Sequence, residues 1–288
     1  MRLLVTGAGG QLGHDVVAAA AAAGDDVRGA THAALDVTDR DAVLGAITTW
    51  RPDAVVHCAA WTEVDACERD PVRAFAANAL AVRHVVEACD RVGAHLVQLS
   101  TDYVFDGEQR RPYREWDAPA PRSVYGASKL AGEREALALG ARAAVVRTTL
   151  RPCSPHTHDV RTVLQLARDK VGQHGALAFV DDQRGHPTFT ADLGPLVRRL
   201  ALDRRSGIIH ATNQGEVTWY GFVQQVLGAA GYPTSMVRPI TTAELDPPRP
   251  APRPANSVLD NGVLKASGIP LLREFREPLA ELVAALGG

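Results

Sequence analysis

Tyr125 and Lys129 stand four residues apart in the stretch VYGASKLAGE, residues 124–133, with Gly126, Ala127 and Ser128 between them. On a helix, residues at that spacing share one face. A phenol beside an ammonium suits the completion of a carbonyl reduction: hydride arrives from one side, and a proton must reach the developing alkoxide. A free tyrosine, with a pKa of about 10, gives up its proton poorly near neutrality. An adjacent ammonium favours the phenolate, so the spacing predicts a Tyr125 hydroxyl with a lowered pKa. The small residues at 126–128 are expected to let substrate and cofactor approach the helix. The same spacing also arises in ordinary surface pairs, so the surrounding elements decide between the readings.

A hydroxyl joins the pair. The segment QLSTDYVFDG, residues 98–107, reads as a strand that ends at Ser100-Thr101-Asp102. In parallel sheets ligands sit beyond the carboxyl ends of the strands. Thr101 is then placed to hydrogen-bond a substrate oxygen and set its distance from Tyr125. Lys129 is expected to tune the phenol and to bind nicotinamide ribose hydroxyls.

The dinucleotide itself is announced near the start. RLLVTGA reads as a buried strand, and Gly7, Gly10 and Gly13 follow it at G-x-x-G-x-x-G spacing as a helix opens. In that context the pattern signals dinucleotide binding. Gly7 permits a tight turn, Gly10 lets the backbone approach a pyrophosphate, and Gly13 lets the helix pack on the strand. The helix N-terminus supplies free N–H donors. No acid ends the second strand, where Gly29, Ala30, Thr31 and His32 stand. Arg28 is close enough in sequence to meet a 2′-phosphate, which favours NADPH, with NADH possible. Asp36 in LDVTD reads equally as an adenine contact or a turn cap.

These motifs need a scaffold, and the first half provides an alternation of elements. Strands are expected at RLLVTGA, DDVRGAT, DAVVHCA, HLVQLST and AAVVRTT. Between them run helices at Leu12–Ala23, at DRDAVLGAITTW, at SVYGASKLAGEREALALG, and as one long helix over residues 70–93. Repeated β-α-β units with such apolar strands predict an α/β fold, a Rossmann-type doubly wound parallel sheet. Residues 1–150 are assigned to this nucleotide-binding domain, and GIIHAT near 207–212 is a candidate to return to it. Residues 151–288 are assigned mainly to a smaller, interleaved substrate-binding domain, with helices at VRTVLQLARDKVGQ, TADLGPLVRRLALD and TWYGFVQQVLGAAG and a proline-rich loop at 246–257.

Composition narrows the partners. The chain has 288 residues, 46% hydrophobic and 22% charged, with a formal charge of −2. No excess of positive charge calls for nucleic acid or an anionic membrane, and no apolar run is long enough to span one. The cysteines, Cys58, Cys67, Cys89 and Cys153, show no CxxC spacing and read as reduced thiols of a cytoplasmic protein. Cys153, His156, His158 and Asp159 match no standard zinc spacing, and no metal is expected. His57, in an apolar strand, reads as a satisfied core residue. Trp219 and Tyr220 read as core, and the arginines of RPAPRP read equally as diphosphate ligands or solvated loop.

Taken together, MRLLVTGAGGQLG, LDVTD, PDAVVHCAAWTEVDACE, NALAVRHVVEAC, STDYVFDG, YGASKLAGE, VVRTT, GHPTFTADL and RPANSVLD resemble the dTDP-4-dehydrorhamnose reductase family of the extended short-chain dehydrogenase/reductases over nearly the whole chain. The resemblance puts Thr101, Tyr125 and Lys129 on the catalytic triad. It puts the glycine loop with Gln11 and Leu12, then Ala59, Ala60, Trp61 and Asn78, on the cofactor side, where Val37 and Ser100 are also expected. Asp102, Val104, Phe105, Arg253 and Ser257 are expected at the substrate. The implied reaction is NAD(P)H-dependent reduction of the C4 ketone of a dTDP-linked 6-deoxyhexose, by a monomer or homodimer.

Two departures stand out. His57 replaces a usual Asn, and Thr148-Thr149-Leu150-Arg151-Pro152-Cys153 lacks the family's large aromatic at the pocket wall. Another nucleotide-linked keto-deoxysugar therefore competes as substrate, as does a same-superfamily epimerase. Asp102-Tyr103 after Thr101, in place of an Asp-Glu pair, argues against a dehydratase. An NADP-binding regulatory subunit is the non-catalytic alternative, disfavoured by the intact triad.

Overall fold

A computed structural model describes residues 1–149, 158–170 and 177–287. Its strands are β1 (Arg2–Thr6), β2 (Asp26–Ala30), β3 (Ala54–His57), β4 (His95–Thr101), β5 (Ala143–Thr148), β6 (Leu177–Val180), β7 (Arg184–Gly185), β8 (Gly207–His210), β9 (Val217–Thr218) and β10 (Val237–Ile240). Its helices are α1 (Gln11–Ala22), α2 (Arg40–Trp50), α3 (Val64–Arg69), α4 (Pro71–Phe75), α5 (Ala81–Val92), α6 (Val124–Leu137), α7 (His158–Lys170), α8 (Thr190–Leu202), α9 (Trp219–Ala229), α10 (Gly262–Ala266) and α11 (Arg276–Ala285).

Six strands form one parallel sheet in the order β2-β1-β3-β4-β5-β8. Every residue of β3, β4 and β5 is buried, the condition of strands covered on both faces. Leu3, Val5, Val56, Val97 and Val146 face α1, α8 and α10. Leu4, Val55, Leu96 and Val145 face α2 and α5, with the end of α6. The chain leaves β1 for β2 on one side and returns for β3 on the other. That reversal opens a crevice beyond their carboxyl ends.

The expected single helix over 70–93 is three pieces. Asp70 caps α4 by accepting from Arg73 N–H at 3.0 Å, with Pro71 in its first turn. A π turn follows at Ala76–Leu80, and α5 ends at Gly93 with φ of 72°. Opposite the π turn, a Cβ on Gly132 would lie 2.2 Å from the Asn78 carbonyl oxygen, so α6 crosses there only because residue 132 is glycine.

Residues beyond 150 serve two cores. Strand β8 joins the main sheet, while Leu193, Leu196, Val197 and Leu200 of α8 enter the main core. A second core gathers Val160 and Leu164 of α7, Phe222 and Val226 of α9, Val237 of β10 and Phe275, Leu279 and Leu282 at α11. The proline-rich loop is tied to α3 and β7: Ala251 N–H donates to Asp65 at 3.1 Å, and Arg184 N–H to Ala255 at 2.8 Å. Among the described residues no helix is long and apolar enough to cross a membrane, and no group of three or more acidic, His or Cys side chains could hold a metal. Cys153 and His156, and the side chains of His158 and Asp159, lie outside the described residues, as do residues 150–153 of the altered pocket segment.

Candidate active site

A cavity of about 450 Å³ opens at the sheet crevice. One wall is the glycine loop, where Gly7, Gly10, Gln11, Leu12 and Gly13 line the space. Gly7 has φ of +67°, and a Cβ there would meet Ala59 N at 2.6 Å, so the turn needs glycine twice over. A Cβ on Gly13 would sit 2.3 Å from the Gly7 carbonyl oxygen, which seats α1 on its own loop. No side chain caps α1 at Gly10, and no acid stands in its first turn. The first-turn N–H groups therefore remain for an anion.

The opposite wall carries the reacting groups. Ser100, Thr101, Asp102 and Tyr103 at the end of β4 line the cavity with Tyr125 from the first turn of α6. Ser123 caps that helix by accepting from Gly126 N–H at 3.1 Å. The Thr101 side chain lies close enough to the Tyr125 hydroxyl to act on its acidity, and Thr101 Oγ1 donates to Asp102 Oδ1 at 3.0 Å. One turn further along α6, Lys129 is buried and its Nζ donates to the Leu99 carbonyl at 2.7 Å.

The electrostatics correct one expectation. Tyr125 is held above the ordinary phenol range, chiefly by burial and also by the Asp102 carboxylate, with the Thr101 side chain pulling the other way. Burial also draws Lys129 down to about 8, opposed by Glu133. Removing both groups from water disfavours charge on each. Tyr125 accordingly rests as a protonated donor.

The smallness of residues 126–128 also has another cause. A Cβ on Gly126 would lie 2.2 Å from the Tyr103 carbonyl oxygen, so this glycine admits the protein's own loop. Ser128 Oγ donates to the Tyr125 carbonyl at 2.8 Å and accepts from Asn78 Nδ2 at 3.0 Å. Asn78 in turn holds the backbone of Trp61, whose ring packs in a cluster with Tyr125 and Cys67 and carries the Arg73 guanidinium 4.4 Å from its centroid. Ala60 lines the cavity and Ala59 backs the Gly7 turn, while Trp61 and Asn78 support from behind.

Other expected contacts lie elsewhere. Val104 and Phe105 are 0% and 1% exposed and pack with Tyr113, Leu130 and Leu259. The short turn after Thr101 sends them into the core and leaves Tyr103 at the cavity. Arg28 lies 4.6 Å from the Trp50 ring, on the α2 side of the sheet. It shares its register with Leu4, so strand alternation places it on that face, and it is not among the residues lining the cavity. Asp36 accepts from its own turn, from Thr38 N–H at 2.9 Å and Thr38 Oγ1 at 2.7 Å, which holds its carboxyl below the usual range. Val37 is core, and its carbonyl meets His84 Nδ1 at 3.2 Å. Arg253 grips Asp65 through Nη1 and Nη2 at 2.5 and 2.9 Å, ordering the proline-rich loop, whose Pro254 and Ser257 reach the cavity.

Several cavity residues carried no local sequence signal: Gln183, Trp219, Thr62 and Val64 converge only through the tertiary fold. Thr148 and Thr149 line the cavity with buried hydroxyls that find no partner among the described residues. Trp219 and Gln183 also line a second, more apolar cavity of about 380 Å³ with Phe179, Leu245 and Arg249. Trp219 is thus a shared wall between two cavities, where the sequence predicts core. His57 is buried; its Nδ1 meets Thr6 Oγ1 at 2.7 Å, while Nε2 has no partner among the described residues, and burial pushes its pKa down to about 3.

Known proteins are similar to this chain over nearly its whole length. A Mycobacterium tuberculosis protein named dTDP-4-dehydrorhamnose reductase is 41% identical over 289 residues, spanning 99% of this chain and 93% of its own. A Streptomyces antibioticus protein named as a probable dTDP-4,6-dihydroxy-2-methyloxan-3-one 4-ketoreductase is 42% identical over 285 residues, covering 98% of this chain and 94% of its own. The crystal structure of a Bacillus anthracis dTDP-4-dehydrorhamnose reductase in complex with NADP superposes with a TM-score of 0.90 at 31% identity, covering 99% of both chains. The family model of the RmlD substrate binding domain matches residues 1–287, and this chain belongs to that family.

Proposed function

We propose that the protein is an NADPH-dependent reductase of the 4-keto group of a dTDP-linked 6-deoxyhexose, with dTDP-4-dehydrorhamnose as the leading substrate. One observation carries the reading: Tyr125, Thr101 and the glycine loop line the same cavity. The relatives named as reductases and the NADP complex of the Bacillus anthracis protein support it.

When bound, NADPH supplies the hydride. The Gly7–Gly13 turn and the first-turn N–H groups of α1 would hold its pyrophosphate, and Lys129 its nicotinamide ribose. Because Arg28 is stacked on Trp50, the preference for NADPH rests on the relatives and not on that side chain. Tyr125 keeps its proton until the substrate oxygen becomes basic, then donates it, while Thr101 fixes that oxygen. The Lys129 ammonium, on the same helix face, stabilises the phenolate left behind. Arg249 and the apolar wall of the second cavity offer a place for the nucleotide end, reached past Trp219 and Gln183. Among the described residues beyond 150, those lining the two cavities, such as Gln183, Trp219 and Ser257, belong to the substrate-binding part of the chain. The free thiols of Cys58, Cys67 and Cys89 suit a reducing, cytoplasmic setting.

The Streptomyces antibioticus relative favours a second reading of the substrate alone, a dTDP-linked 4-keto-deoxysugar other than dTDP-4-dehydrorhamnose. The deciding experiment supplies NADPH with dTDP-4-dehydrorhamnose or with other dTDP-4-keto-6-deoxyhexoses, following NADPH absorbance and product by mass. Turnover of the first substrate supports the leading reading, and turnover of another alone transfers the assignment. Tight NADPH binding with no oxidation by any of them would make the chain a binding module.

A further inference from the structure

The helix face that bears Tyr125 and Lys129 continues, one turn on, to Glu133. That carboxylate is 1% exposed and fully engaged. Ser100 Oγ donates to its Oε1 at 2.5 Å, Arg147 Nε donates to the same oxygen at 2.9 Å, and Arg147 Nη2 donates to Oε2 at 2.7 Å. Arg147 is also buried, with its guanidinium 5.1 Å from the Phe105 ring centroid. Ser100 and Arg147 are register partners on β4 and β5, so the sheet presents both donors to one acceptor.

A buried ion pair is expensive to desolvate, and well-packed apolar residues often do as well for stability. This pair does something apolar residues do not: it fixes both the depth and the rotation of α6 over β4. The strand residues it pins are those the site uses. Leu99, whose carbonyl holds Lys129, precedes Ser100, and Thr101, which meets Tyr125, follows it. We propose that Glu133 is a positioning residue for the reduction, acting through Ser100 and Arg147 to set Lys129 against the Leu99 carbonyl and Tyr125 against Thr101. The proposal rests on the reductase reading of the site.

The charge of Glu133 has a second effect on the same lysine. Lys129 faces Glu133 on its own helix, His57 at the end of β3 and Cys58 just after it; Arg147 reaches it from β5 by way of Glu133, and Asp102 acts on Tyr125. Burial keeps His57 and Cys58 neutral at working pH, at about 3 and about 12. Glu133, paired with Arg147, is then the acidic neighbour whose charge favours the protonated form of Lys129.

The chain has three lysines, Lys129, Lys170 and Lys265, so carbon-13 labelling at the lysine ε-carbon gives few enough signals to follow each through a pH titration. Glu133→Gln in the full chain should lower the Lys129 midpoint by about one unit or more. Its kcat/KM should fall roughly 100-fold, the usual result of displacing reacting groups by about an ångström. The alkaline limb of its pH profile should move with the lysine. Glu133→Asp, which keeps the charge, should return the midpoint most of the way. Should Glu133→Gln not fold, Glu133→Leu with Arg147→Met removes both charges at similar volume and should fold with the midpoint still lowered. A wild-type midpoint and pH profile in either the single or the double variant overturns the proposal. A wild-type protein that binds NADPH but oxidises none would sink the reductase reading alone, because the Lys129 midpoint still reports on Glu133.

Discussion

Asn78 holds Trp61 by both polar groups of its backbone. Its Oδ1 accepts from the Trp61 N–H at 2.8 Å, and its Nδ2 donates to the Trp61 carbonyl at 3.0 Å. The π turn at Ala76–Leu80 aims the side chain there, and a third bond reaches Ser128 on α6. One amide thus ties the segment behind the glycine loop to the helix that carries Tyr125. Asn78→Ala strands those partners and should cost about 2–3 kcal/mol of stability. It should also weaken NADPH binding roughly tenfold. Denaturant melts and a fluorescence titration check this, and unaltered affinity in the folded variant would refute the coupling.

Tyr125→Phe removes the donor while keeping the ring among Trp61 and Cys67. Loss of a positioned general acid typically costs 10²–10⁴-fold, so kcat should fall by at least about 100-fold. NADPH affinity should stay within about twofold of wild type. Steady-state kinetics with a keto-sugar, paired with the same fluorescence titration, separate the two. Full turnover would remove Tyr125 from the chemistry.

Lys129 titrates near 8 because burial opposes its charge. The ammonium is the form that stabilises the phenolate, so kcat/KM should fall as pH rises through about 8. Stability should move the other way. The folded pKa lies below the ordinary 10.5, so from about 8 to 10.5 the unfolded chain binds more protons and stability rises with pH. Lys129→Met should abolish that rise. A flat activity profile across the window would contradict the assignment.

Acid should unfold the protein through its buried histidines. Burial lowers His57, His95 and His210 to about 3, 4 and 3. Their folded pKa values lie below the unfolded one, so stability is whole above pH 6.5 and is lost as pH falls toward 4. Each contributes up to about 1.4 kcal/mol per pH unit. His57→Asn should reduce the slope by about one proton, read from denaturant midpoints at successive pH values; an unchanged slope would show that His57 does not titrate on unfolding.

Much was legible in the chain itself. The apolar runs ending in glycine, the alternation of strands and helices, and the local motifs at Gly7–Gly13 and at Tyr125–Lys129 each depend on residues adjacent in sequence. Local geometry sets strand burial, helix facing and turn shape, so those readings needed no knowledge of distant partners. The break at Ala76–Leu80 was not legible, because the close approach of α6 at Gly132 joins residues more than fifty apart in sequence.

Direction and environment belonged to the tertiary structure. Strand parity put Arg28 on Trp50, and a short turn put Val104 and Phe105 in the core, each a matter of one residue's rotation. The sign of the shift on Tyr125 followed from burial, which the Tyr125–Lys129 spacing does not contain. Gln183 and Trp219 reach the cavity from a second core, and Glu133 meets Ser100 and Arg147 from a different element. The sequence determined which chemical groups this protein owns and which helices and strands carry them. Only the packing of those elements decided which groups lost their water and met, because desolvation and contact are properties of three-dimensional neighbours.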